Sequence, residues 1–63
     1  MTQKELLYLE DAIGHEDNII KIIEESIKLL DDNDLVSFFD EELSIHNALK
    51  QNLIEKLEVS AYE

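Results

Sequence analysis

Three residues interrupt apolar seams that are otherwise almost continuous, and they carry the side chains best suited to chemistry. They are Glu16 in the first half of the chain, and Glu42 and His46 in the second. Stepping through the first half by alternate threes and fours gives Leu6, Leu9, Ile13, Glu16, Ile20, Ile23, Ile27 and Leu30. A single carboxylate sits among branched aliphatics. The same stepping through the second half gives Leu35, Phe39, Glu42, His46, Leu49 and Leu53. A carboxylate on a buried seam is costly unless it is paired, hydrogen-bonded or metal-bound, so each exception needs a partner.

Glu42 precedes His46 by one helical turn on the same face. If the two halves are antiparallel helices joined near residue 32, Glu16 and His46 fall within about one turn of each other along the axis. Two chemistries follow. Carboxylate and imidazole donors inside a helical bundle suit iron, manganese or zinc, with Glu16, Glu42 and His46 as ligands and His15 as a further ligand or a group behind them. A two-fold axis through a bundle would duplicate the set. The plainer alternative has Glu16 accepting a hydrogen bond from His46 while Glu42 leans to solvent at the edge of the face. Such a contact fixes register and pairing, as polar seam residues do in coiled coils. Redox catalysis would need, in addition, a full ligand set and substrate access.

Other motifs fall away. Asp31-x-Asn33 with Glu42 eleven residues after Asp31 has some of the spacing of a calcium loop, but Leu35 takes a ligand position and Val36 replaces the required Gly. Ser26, Ser37 and Ser44 have no base-plus-orienter constellation, and no Gly-rich phosphate loop exists. Tyr8 and Tyr62 read as packing or surface residues. Lys21, Lys28, Lys50 and Lys56 are scattered rather than striped.

The elements that position the trio must be helices. The chain has 63 residues with no Pro, no Cys and one Gly, which suits long helices and removes disulfides and thiolate metal sites. Hydrophobic residues make up 44%, too many for a disordered segment despite a net charge of −11. Sixteen acids, five lysines and no Arg argue against a phosphate-backbone partner. No apolar run is long enough to span a membrane and no signal peptide opens the sequence, so the expectation is a cytoplasmic protein.

Thr2-Gln3-Lys4-Glu5 fits a capping box. Helix one is expected over 3–30, a turn over 31–33 at Asp31-Asp32-Asn33-Asp34, and helix two over 34–59, with one of Asp32, Asn33 or Asp34 as its cap. The residues from Ser60 to Glu63 are expected to fray. Gly14 within helix one signals close helix approach or simple tolerance, or else local space beside Glu16. A second seam, Tyr8, Ala12, His15, Ile19, Ile22, Ser26 and Leu29, lies beside the first, and Phe38, Leu43, Ile45 and Leu57 broaden helix two. Faces this wide exceed what one partner helix covers. The expectation is therefore all-α: one antiparallel two-helix hairpin over 1–63, forming a four-helix bundle by homodimerisation. Leu6, Leu9, Ile13, Ile20, Ile23, Ile27, Phe38, Phe39, Leu49 and Leu53 are the expected interface residues.

The stretch from His15 to Leu57 resembles the small ferritin-like hairpins of endospore-forming bacteria, in particular the spore coat protein F-like group. It does so through Glu16, Ile19 and Ile20, the turn Asp32-Asn33-Asp34-Leu35, Phe38-Phe39, Glu42, His46, Leu49 and Leu53. The resemblance implies a ferritin-like half-bundle, a sporulation-associated or accessory role, and often degenerate metal binding. The ferritin-like ligand motif is Glu-x-x-His, whereas this chain has Glu42-x-x-x-His46 with Leu43 in the acid position. In length and mid-chain turn the chain is also similar to the dimeric Rop hairpin, which modulates plasmid RNA pairing. That family binds RNA through a basic and polar helix-one face, where this chain carries Glu10, Asp11, Glu24 and Glu25. The functional expectation is a small acidic, non-enzymatic hairpin acting by self-assembly or protein interaction, in the cytoplasm or with the spore. The alternatives are a metal-binding bundle or an acidic regulator of a basic protein.

Overall fold

The computed structural model describes residues 1–61. Two helices, α1 (Gln3–Leu29) and α2 (Asn33–Ala61), pack as an antiparallel hairpin. Tyr62 and Glu63 lie outside the described residues.

Each helix begins where a side chain satisfies free backbone N–H groups. At α1 the Thr2 hydroxyl accepts from the Glu5 N–H at 3.0 Å, and the Glu5 carboxylate accepts from the Thr2 N–H at 2.9 Å, a complete capping box. At α2 the choice among the turn residues resolves to Asp32. Its carboxylate accepts from the N–H of Asp34 at 2.8 Å and of Leu35 at 3.2 Å. A negative charge at that end also suits the helix dipole. Helix α1 stops at Leu29, because Leu30 turns to extended backbone (φ −91°, ψ 134°). Helix α2 continues past the expected Val59 to Ala61, and the Ser60 hydroxyl donates to the Lys56 carbonyl at 2.9 Å within that last turn.

Gly14 lies in α1 with nothing within 4 Å of where its Cβ would stand. Close approach of α2 is therefore not its role.

The hairpin is a rod, 47 × 14 × 11 Å across its Cα atoms, with a radius of gyration of 14.6 Å. A compact domain of this length would have a radius near 11 Å. Its interior is correspondingly thin. Only Glu16, Ile20 and Ile23 are buried among the described residues, flanked by half-buried positions such as Leu9, Ile13, Ile27, Phe39, Leu43, Leu53 and Leu57. Ile20 and Ile23 thus spend their surface on their own α2, and are not residues a second copy could cover.

One residue before each inward position, both helices carry a further apolar seam. On α1 it is Tyr8, Ala12, His15, Ile19, Ile22, Ser26 and Leu29; on α2 it is Leu35, Phe38, Glu42, Ile45, Leu49, Asn52, Lys56 and Val59. A step of one residue rotates a helical face by about 100°. Because the helices are right-handed and antiparallel, that step turns both seams toward the same side of the hairpin. The opposite side presents Glu10, Asp17, Lys21 and Glu24 with Asp40, Asn47, Gln51 and Glu58. Apart from Met1 and Leu7, every large hydrophobic that stays exposed among the described residues belongs to the apolar flank, including Ile22 (65% exposed), Leu29 (84%) and Phe38 (54%). Phe38 and Phe39 meet edge to face, with centroids 5.8 Å apart and planes at 66°.

Candidate functional site

The hairpin brings Glu16, Glu42 and His46 together at mid-length. Glu16 is on the inward seam of α1 and is 9% exposed. Across from it, His46 Nδ1 lies 2.6 Å from Glu16 Oε2. A carboxylate oxygen only accepts, so Nδ1 carries the proton and donates. On the other side of the ring, Nε2 is 3.7 Å from Glu42 Oε2, one turn earlier on α2. That distance is beyond a direct hydrogen bond and within reach of an ion pair when the imidazole is protonated. The imidazole is therefore held between two carboxylates, tightly on the buried side and loosely on the open one. The Glu42 side chain remains 35% exposed.

His15 does not join the trio. It stands on the flank-facing seam, one position off the inward face, and is exposed. The distances explain why one hairpin does not assemble the imagined metal centre. Glu16 and Glu42 address different nitrogens on different sides of the His46 ring, so they do not converge on one point. Among the described residues, no group of three or more His, Asp or Glu side chains is arranged to hold a metal ion.

A second ion pair completes a polar girdle and was not anticipated. Lys50 reaches across from α2 to Asp17. The signal was present in the sequence: Lys50 follows His46 by one turn on the inward seam, where an amine requires a carboxylate nearby. Glu42, His46 and Lys50 thus form a strip at successive turns of α2, facing Glu16 and Asp17 on α1. No buried side-chain N or O among the described residues lacks a hydrogen-bond partner. The arrangement locks axial register, since a slide of one turn would separate Glu16 from His46 and Asp17 from Lys50 together.

The clefts at the open end of the hairpin, bordered by Met1, Asn52, Val59 and Ser60 and by Thr2, Leu6 and Leu57, are remote from this girdle. No described helix is long and apolar enough to cross a membrane.

Comparison of the chain with protein-family models, with curated proteins and with solved structures finds no match.

Proposed function

We propose that the chain is a small acidic, non-enzymatic helical hairpin that works by self-assembly, two copies forming a four-helix bundle. The observation that carries this is the one-sided apolar flank. Tyr8, Ile22, Leu29, Phe38, Ile45 and Leu49 are all more than two-fifths exposed on it, while the opposite side is charged. Large hydrophobics left exposed on one side of a small protein point to an interaction site there. The thin interior points the same way, because Ile20 and Ile23, the buried hydrophobics among the described residues, are a small core for a chain without disulfides. In this reading the Glu16–His46 contact sets register and is not a catalytic pair. The spore coat protein F-like resemblance adds a sporulation-associated setting to the proposal.

Sedimentation or light scattering at micromolar concentration tests it: a mass of two chains is expected, and a stable single chain overturns it.

One observation favours a second reading. Nε2 of His46 and the carboxylate of Glu42 lie side by side toward the open flank, with Nδ1 already oriented by Glu16. That is how metal-ligating histidines are commonly held. A ferritin-like site would then draw its remaining donors from a second copy. Elemental analysis of protein purified without chelators decides: no iron, manganese or zinc above trace, and no rise in Tm on adding them, removes the metal reading.

A further inference from the structure

We infer that the apolar flank is covered by a second copy lying with its turn at the opposite end, α1 along the partner's α1 and α2 along the partner's α2, and that the partner's Asn52 supplies Glu42 with a direct hydrogen bond, which His46 at 3.7 Å does not give it. This rests on the self-assembly reading and specifies its geometry.

Size and charge suit a second copy. The flank runs the 47 Å length of the rod. Two helices side by side are roughly 20 Å wide, which gives on the order of 900 Å² per copy, close to the area each partner buries in a standard stable interface. Among the described residues, Glu42 and Lys56 are its only formally charged members, so most of the −11 charge lies elsewhere.

The seams are complementary to themselves. Along α2 the pattern is symmetric about residue 47, which sets Glu42 level with the partner's Asn52, Leu35 with the partner's Val59 and Phe38 with the partner's Lys56. The lysine stem can cover the phenyl ring while its amine reaches the rim. Along α1 the pattern is symmetric about Ile19, which sets small Ala12 against small Ser26 and lets the helices approach. A two-fold axis must cross both midpoints at once. The contacts Glu16–His46 and Asp17–Lys50 place Ile19 level with residue 47 to within about one turn.

The alternative, with both turns at one end, sets α1 against the partner's α2. Glu42 then faces the partner's Ile22, and Asn52 faces the partner's Ala12. A half-buried carboxylate closed in by an aliphatic, beyond reach of a direct bond to His46, is the costly outcome. His15 meets an aliphatic in both arrangements and does not choose between them.

The chain has no cysteine, so a single Ile19→Cys variant reports unambiguously. On the axis, its two thiols face each other, and a short thiol cross-linker yields a covalent dimer. In the same-end arrangement they lie on diagonal helices and do not react. If the unmodified protein sediments as two chains but Ile19→Cys, still dimeric when reduced, fails to cross-link, the arrangement is overturned and self-assembly survives. If the unmodified protein sediments as one chain, both fall. Asn52→Ala, at an exposed position, checks the same geometry without touching the axis. It is expected to weaken dimerisation by about tenfold or more while Gln51→Ala on the charged side does not. Equal affinity for Asn52→Ala and the unmodified chain overturns the Glu42–Asn52 pairing.

Discussion

Glu16 holds a position that an aliphatic would fill by default, and the cost of burying it is offset by a 2.6 Å bond to His46. Buried pairs of this kind are asymmetric in their energetics: breaking one leaves the other member unsatisfied, whereas replacing both with aliphatics removes the problem. Glu16→Ala is therefore expected to destabilise the fold by about 1–3 kcal/mol in urea unfolding. Glu16→Leu with His46→Leu is expected to recover most of that, at the expense of a defined register. A double variant as unstable as the single one would mean that the pair is not the constraint on these helices. At the N-terminal end of α1, hydrogen bonding by Thr2, through its backbone N–H first and its side chain second, holds the Glu5 carboxyl below the ordinary value of 4.5. The ionised form is the one favoured by folding, so this contribution is present above 4.5 and vanishes as pH falls through the lowered value. Protection of the Thr2 and Glu5 amides, relative to their intrinsic exchange rates, should fall in that acid window while mid-helix protection holds; equal protection across the window would show that the box carries no pH-dependent order. Glu16 and His46 were legible as partners because each interrupts a seam. The Asp17–Lys50 pair was only half legible: Lys50, one turn after His46, signals the need for a carboxylate, but Asp17 belongs to a solvent-facing position and only the folded register brings the two together.

Helix type and number follow from periodicity so strongly that two long elements without strands were readable from spacing alone. The ends were less so, since capping depends on which of several adjacent Asp and Asn side chains reaches the free N–H groups. Asp32 does so, and its neighbours do not. The exposed flank was only half legible. The second seam of α1 was visible, but its alignment with Phe38, Ile45 and Leu49 on one side requires the antiparallel pairing to be in hand. Gly14 carries an element-scale prediction. It sits mid-helix with open space at its Cβ position, on the side away from the apolar flank. Ala there adds helix propensity and restricts the unfolded chain without a clash, worth about 1 kcal/mol. Gly14→Ala should raise Tm by roughly 4–8 °C for a chain of this size and leave self-association unchanged. A fall in Tm would indicate that the glycine is kept for space that this hairpin does not use.

At the scale of the whole molecule, hydrophobic burial and net charge pull in opposite directions. Closing two apolar flanks removes surface such as Leu29 and Phe38 from water, yet it brings two chains of charge −11 together. The α2 rim makes this worse, since Asp34, Glu41 and Glu55 border the flank, whereas on the α1 rim Lys4 and Lys28 accompany Asp11 and Glu25. The repulsion acts between exposed charges and is screened over about 10 Å at 0.1 M salt, while the apolar term is not. Self-association should therefore tighten as ionic strength rises, by a few-fold in Kd between roughly 20 mM and 0.5 M salt. A basic partner would respond in the opposite sense, its binding weakening as salt screens the attraction. Sedimentation of the purified chain at the two salt concentrations separates these cases. Dimer that dissociates on adding salt would mean that charge pairing across the interface, and not the aliphatic flank, holds the copies together.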